Sequence, residues 1–388
     1  MRTIGVVTGA RSDFGSLVPV LREIQTVPEL ALQLIVSGMH LAPEFGMTVR
    51  AIEEEGFQVS ERVEMLVSSD SPEGIAKSMG LGLMGYSQVY ARKRPDILLV
   101  LGDRFETHSA VLAALPFKIP VAHLHGGELT FGAMDDALRH SITKLSHLHF
   151  VATEDYARRV VRMGEEPWRV TVSGAPGLDN LKSVTLLSAM ELEAKHGIRP
   201  GTPPLLVTFH PVSLEYEDAE HQATELLAAL DECGMPLVFT MPNADTHGRE
   251  VMALISRFVQ SHPSAKMVNN LGTQGYFSMM AVAAAMVGNS SSGIVEAASF
   301  RLPVVNVGTR QAGRVRPGNV IDVGNNRSEI LRGIKTALSE DFKSGLAHLT
   351  NPYGDGDAAG RIVERLRSVA LDDRLLVKKF WDSGPISA

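Results

Sequence analysis

One stretch crowds more ionisable side chains than any other in this chain. HLHGGELTFGAMDDALRHSITKLSHLHF, residues 123–150, holds His123, His125, Glu128, Asp135, Asp136, Arg139 and His140. Several titratable groups converging just past a strand suit proton transfer, because neighbouring charges and burial move their pKa values toward the working pH. The paired glycines 126 and 127 let the backbone turn sharply there. Asp135 and Asp136 have an equally simple structural use, since carboxylates favour the first turn of a helix. A metal site is not expected. His123 and His125 share a strand face by alternation, but no HExxH spacing or cysteine partner accompanies them.

Other candidates also follow apolar runs. GARSDFGSL (9–17) is neither a Walker loop nor GxGxxG, yet Gly9 and Gly15 bracket Arg11 and a helix begins near Ser16, an arrangement able to hold an anion. Asp103 directly ends the run DILLVLG and either caps the next helix or projects toward a ligand. His210 ends PLLVTF before a proline, and Asn243 lies in the loop PNADTHGRE. In GNSSSGIVE (288–296), Ser290, Ser291, Ser292 and Gly293 precede a helix whose first turn is expected to carry Glu296. Hydroxyls and backbone N–H groups at that point form a phosphate cradle. Phosphate would repel a carboxylate, so Glu296 is expected to meet neutral ribose hydroxyls. Arg310 and Arg314, in the loop after the next run, offer cations to a diphosphate. A capped helix without ligand is the plain structural alternative.

The elements that position these groups alternate. Apolar runs at 3–9, 32–38, 96–102, 119–126 and 147–153 form one series, and runs at 204–210, 236–242, 283–289 and 302–308 a second. Near-continuous apolar character marks strands covered on both faces, hence parallel sheets, and amphipathic stretches such as 16–24 and 224–233 lie between them. The fold class is therefore α/β, with two doubly wound Rossmann-like domains expected to face a central cleft. Their expected bounds are 1–180, bearing the catalytic carboxylates, and 200–355, binding the nucleotide. The Gly/Pro-rich stretch near 180–203 reads as linker and hinge. The terminal helix in 358–388 could pack back on the first domain.

Composition narrows the class further. The 388 residues are 44% hydrophobic and 21% charged, as in a soluble globular protein. A net charge of −7 leaves no basic excess for nucleic acid. Cys233 is the single cysteine, so no internal disulfide can form. No apolar run approaches the roughly 20 residues of a membrane span, and the N-terminal stretch turns polar too early for a signal peptide. A cytoplasmic protein is expected.

Taken in order, VTGARSDFG, SGMHLAPEFG, LGDRFE, HGGELTFGAMDDALRHSITK, VSGAPGLDNL, FHP, MPNAD, GNSSSGIVEA and VNVGTRQAGR resemble the hydrolysing UDP-N-acetylglucosamine 2-epimerases over nearly the whole chain. The resemblance implies a glycosyltransferase-B fold with the nucleotide on the C-terminal half. It implies conversion of UDP-N-acetylglucosamine and water to N-acetylmannosamine and UDP through a 2-acetamidoglucal, in sialic-type acid synthesis, with neither cofactor nor metal. By the same resemblance Asp103, Asp135 and His210 serve catalysis, while Ser291, Ser292 and Glu296 hold the uridine diphosphate. Arg11 and Arg310 lie near the diphosphate, and His40 lines the sugar side. Homo-oligomers, dimeric or tetrameric, are usual in the family. Relatives often carry glutamate where this chain has His125. Either Glu128 takes the acid/base role, or His125 does, or the substrate is a UDP- or GDP-linked 2,4-diacetamido-2,4,6-trideoxy sugar. A non-hydrolysing epimerase and a glycosyltransferase of the same fold are the remaining alternatives.

Overall fold

A computed structural model describes residues 1–67, 71–131, 134–198, 201–210, 218–240, 248–268 and 271–382. The chain forms two compact units. The first comprises Met1–Glu128, Met134–Asn180 and Tyr353–Ala388, the second Leu129–Ala133 and Leu181–Pro352.

The first unit is built on a parallel sheet of β1 (Arg2–Thr8), β2 (Leu30–Ser37), β3 (Val59–Val63), β4 (Ile97–Leu101), β5 (Val121–Leu124), β6 (Leu148–Val151) and β7 (Val170–Val172). Their spatial order is β3-β2-β1-β4-β5-β6-β7. Apolar layers cover both faces. One contains Phe14, Leu17, Leu21 and Ile24 of the helix Arg11–Thr26 together with Ile362, Val363 and Leu366 of the helix Ala358–Ser368. The other contains Tyr86, Val89 and Tyr90 of the helix Pro72–Arg92. A strand with helices on both sides must be apolar on alternate and intervening residues alike, as the ILLVL of β4 is.

The second unit repeats this plan. Its strands are β8 (Leu205–Thr208), β9 (Leu237–Thr240), β10 (Ala265–Val268), β11 (Ala285–Gly288), β12 (Val304–Val307) and β13 (Val320–Val323). They run in the order β10-β9-β8-β11-β12-β13, all parallel. In each unit the order reverses once, between β1 and β4 and between β8 and β11. Connections on the two sides of that point leave toward opposite faces and open a crevice at the carboxyl ends of the strands, where ligands of open α/β sheets bind. Among the described residues no helix is long and apolar enough to cross a membrane.

Candidate functional site

At the switch point of the first unit the backbone is shaped around one carboxylate. Glu106, in the first turn of the helix Phe105–Ala114, is fully buried. A β-carbon at Gly9 would lie 3.1 Å from its Cβ, and one at Gly38, where φ is +57°, would lie 2.8 Å from its Oε1. The ends of β1 and β2 can approach Glu106 this closely only because both residues are glycine. Arg104 compensates its charge, donating from Nη2 at 2.9 Å and from Nε at 3.2 Å. Beside them His40 hydrogen-bonds Thr8 Oγ1 at 3.0 Å through Nε2 and Thr48 Oγ1 at 2.7 Å through Nδ1. Burial lowers its pKa to about 4, so it is neutral at physiological pH.

Asp103 does not cap the helix that follows it; Arg104 occupies that position. Asp103 instead pairs with the buried guanidinium of Arg139, which also donates to the His125 carbonyl at 3.0 Å. Arg139 lies one turn beyond Asp135 and Asp136, which occupy the first turn of the helix Met134–Leu145. Burial, reinforced by the Asp103 charge, raises Asp135 to about 6. A carboxylate at that value is both available as a base near neutral pH and basic enough to remove a proton.

His123 and His125 part company at the end of β5. His123 is fully buried, its Nε2 donating to the Gly102 carbonyl at 2.8 Å, and burial lowers its pKa to about 3. It is a structural, neutral histidine. His125 lies beyond the strand with φ +64°, a conformation rare for a residue with a side chain, so strand alternation no longer governs its direction. Its Nδ1 meets Glu128 Oε1 at 2.6 Å, and Glu128 is only 3% exposed. A buried carboxylate on Nδ1 fixes the imidazole's orientation and leaves Nε2 for chemistry. The two candidates therefore form a dyad instead of competing for one role.

In the second unit the carboxyl ends of β8 and β11 are tied together. Asn289 Oδ1 accepts from the His210 N–H and Asn289 Nδ2 donates to the His210 carbonyl, both at 2.7 Å. Gly288 precedes it at φ +132°, where a β-carbon would lie 1.9 Å from the Thr208 carbonyl oxygen. Only glycine permits that crossing. Burial, then the Arg310 charge, lowers His210 to about 3. It is a neutral side chain at the crevice.

Ser290 caps the helix Ser291–Val295 by accepting from the Ser292 N–H at 3.3 Å. This helix is five residues long, and Glu296 closes it at the C-cap instead of opening it in the first turn. The expectation placed the helix start too late. The hydroxyls of Ser290, Ser292 and Thr208 surround the Tyr276 hydroxyl, with Glu296 close enough to raise its pKa further beyond the effect of burial. Arg310 Nη1 and Gln311 Nε2 donate to the Asn289 carbonyl at 3.1 and 2.9 Å. Arg314 follows one turn later, its N–H donating to Gln311. A cavity of about 580 Å³ in this unit opens instead beside the amino ends of the strands, among Met235, Met280, Phe300 and Leu302, and holds none of these groups.

The candidates thus gather within each unit. Asp103, His125, Glu128 and Asp135 form one constellation with His40 near it, whereas Arg11 is exposed on the helix Arg11–Thr26. His210, Ser290, Ser291, Ser292, Gly293, Glu296 and Arg310 form the other. Gly293 serves close packing, since a β-carbon there would lie 2.9 Å from Val304. Asn243 lies outside the described residues. Tyr276, Asn289, Gln311 and Asp13 were not singled out from sequence. Asn289 and Asp13 had a signal, a short polar residue directly following a strand or opening a helix. Tyr276 had none, being brought in by a helix before β11.

A family model described as UDP-N-acetylglucosamine 2-epimerase matches residues 22–367. Among curated proteins, the GDP/UDP-N,N'-diacetylbacillosamine 2-epimerase (hydrolyzing) of Campylobacter jejuni is 38% identical over 98% of this chain and 99% of its own. The UDP-N,N'-diacetylbacillosamine 2-epimerase (hydrolyzing) of Legionella pneumophila is 36% identical over 97% and 99%. A crystal structure of UDP-GlcNAc 2-epimerase from Neisseria meningitidis bound to UDP-GlcNAc superposes with a TM-score of 0.81 at 21% identity, covering 94% of this chain and 99% of that one. At that identity the likeness speaks for the fold, which is the two-domain glycosyltransferase-B type.

Proposed function

The chain belongs to the UDP-N-acetylglucosamine 2-epimerase family, and from that premise we propose that it is a hydrolysing 2-epimerase acting on a nucleotide-linked 2-acetamido sugar. The observation that carries this reading is Asp135, a carboxyl at about 6 beside the Asp103–Arg139 pair and on the same unit as the His125–Glu128 dyad. Inversion at C2 needs a base on one face of the sugar and an acid on the other, and these are two such groups. Asp135 removes the C2 proton, the C–H pair becomes the C1–C2 double bond, and the C1–O pair leaves with the diphosphate. Water then adds to C1 while C2 is protonated from the opposite face by His125, which Glu128 orients. The serine hydroxyls, Arg310 and Arg314 bind the diphosphate, and Glu296 binds the ribose.

The substrate we favour is UDP-2,4-diacetamido-2,4,6-trideoxyglucose. Two relatives of that named activity match at 38% and 36% identity, and His125 departs from the glutamate usual for UDP-N-acetylglucosamine. The single cysteine supports a cytoplasmic site of action, and the family resemblance supports a homo-oligomer. Incubation in deuterated water with UDP-N-acetylglucosamine and with UDP- and GDP-linked diacetamido-trideoxyglucose tests this by NMR. Expected are free nucleotide and a free sugar inverted and deuterated at C2, fastest from the UDP-linked diacetamido sugar. A product still joined to nucleotide would make the enzyme a non-hydrolysing epimerase, and faster turnover of UDP-N-acetylglucosamine would correct the substrate.

A further inference from the structure

The crevice of the first unit contains a carboxyl group that the reaction above does not use. Asp13 lies in the first turn of the helix Arg11–Thr26 and is 8% exposed. A first-turn aspartate ordinarily stays ionised, stabilised by helix N–H groups and by water. This one has neither advantage in full. Among the described residues its Oδ2 accepts no hydrogen bond, and Oδ1 meets only the Ser12 hydroxyl at 3.4 Å.

Charge counting shows why. The groups facing Asp13 from neighbouring elements are Arg104, Glu106 and Asp103, with the His40 ring edge-on to the adjacent Phe14. Arg104 is the nearest cation, its Nε 3.9 Å from Oδ2, but both of its short hydrogen bonds go to Glu106. Arg139 is committed to Asp103. Two cations thus serve three carboxylates, and Asp13 only shares Arg104, at 3.9 Å, with the closer Glu106. Burial, against a smaller opposing effect of Arg104, raises its pKa to about 7. The helix it opens has Ala10 as N-cap, which makes no side-chain cap hydrogen bond. The result is a carboxyl group that holds its proton up to about pH 7 at the start of a helix, where the helix dipole attracts an oxygen anion and the protonated acid does not repel it.

On the hydrolysing reading given above, we propose that Asp13 protonates the sugar-phosphate oxygen as the nucleotide leaves and then takes a proton from the water that adds to C1. The step balances. The C1–O pair goes to the phosphate oxygen, which gains the Asp13 proton, and Asp13 becomes a carboxylate. As the oxygen of water bonds to C1, one of its protons returns to Asp13, and the other remains in the product hydroxyl. The second pKa of a phosphate monoester is about 6, near enough to that of the acid for the proton to pass in either direction at neutral pH.

The test compares wild type with Asp13→Asn and Asp13→Glu, using UDP-2,4-diacetamido-2,4,6-trideoxyglucose, or UDP-N-acetylglucosamine if that is the substrate turned over. Asp13→Asn should lower kcat at least about 100-fold while KM and UDP affinity change less than about threefold, since one side-chain atom pair is exchanged within a preserved shape. The wild-type rate should fall on the alkaline side of pH 7 as the acid ionises. That limb should vanish in Asp13→Asn and persist in Asp13→Glu. A kcat near wild type in Asp13→Asn, an unchanged alkaline limb, or a tenfold loss of UDP affinity would each overturn the role. Carbon-13 NMR of aspartate-labelled wild type is independent of how the variants fold, and no aspartate titrating between about pH 6 and 8 would overturn it too. If wild type releases no nucleotide from either sugar, the functional reading itself falls. If wild type is active and Asp13→Asn matches it, only the assignment to Asp13 falls.

Discussion

Asp103 and Asp135 carry the same side chain and differ in their neighbours. Asp103 has a guanidinium, while Asp135 is buried near a like charge and rises to about 6. Asp135→Asn should therefore lower kcat by about 10²–10⁴-fold, the usual share of a general base, with UDP affinity retained in titration calorimetry. Asp103→Asn should act in the same direction by releasing Arg139. Glu296→Ala should instead weaken UDP binding, and an equal loss of UDP affinity in all three variants would refute this division of labour. In the His125–Glu128 dyad, His125→Ala and Glu128→Gln should each depress kcat, the first more strongly, because Glu128 acts through the imidazole. The raised carboxyls also set a pH dependence of stability. Asp13 and Asp135 are raised above their unfolded values, so the stability they contribute is complete below pH 3.8 and is lost as pH rises through about 6 and about 7. Each unit of that window is worth at most about 1.4 kcal/mol per group. Asp13→Asn should accordingly raise the melting temperature at pH 8 relative to wild type and not at pH 4.

Elements hold these residues in place through their ends. The helix Met134–Leu145 presents Asp135 and Arg139 near its start and is fastened at its other end by charge. Lys378 Nζ donates to the carbonyls of Lys144 and Ser146 at 2.7 and 2.6 Å and reaches Glu165 at 2.8 Å. Glu165 is fully buried and also takes Lys144 at 2.6 Å and the Nε2–H of neutral His149 at 3.0 Å. Burial opposes its charge, but these donors outweigh burial and hold its pKa at about 2. Its contribution is present above pH 4.5 and lost as pH falls through about 2. Removing one member of a buried ionic group costs about 3–5 kcal/mol. Glu165→Gln should show a loss of that size in urea denaturation at pH 7, shrinking as pH approaches 2. At the second crevice Gly288→Ala should separate β8 from β11 at their carboxyl ends and reduce both thermal stability and UDP affinity.

At the scale of the molecule, the chain, apart from the short excursion Leu129–Ala133, leaves its first unit after Asn180 and returns at Tyr353. The returning segment is core, since Tyr353, Ile362 and Leu366 are fully buried. A chain ending at Pro352 should lack a stable first unit and show it by loss of near-ultraviolet dichroism and by aggregation. Both tryptophans, Trp168 and Trp381, belong to the first unit. Tryptophan fluorescence should report that unit's unfolding alone. UDP should raise a separate calorimetric transition of the second unit and leave the fluorescence transition nearly fixed; an equal shift of both would contradict nucleotide binding by the second unit.

The strands legible from sequence were those buried on both faces, because a near-continuous apolar run is a local signal. β3, β7, β10 and β13 were missed, and each is the edge of its sheet. An edge strand buries less and alternates weakly, so ERV, VTV and AKMV resemble surface chain. The residue types at the strand ends were legible for the same local reason, and they made candidates of Asp103, His125, Glu128, Asp135 and the serine loop, whose roles only the family resemblance suggested. Tertiary structure alone decided their states. Which carboxylate holds Arg104 most closely, which receives Arg139, and which is left with a raised pKa depends on distances between residues far apart in the chain. That is why Asp13, unremarkable in sequence, keeps its proton toward neutral pH.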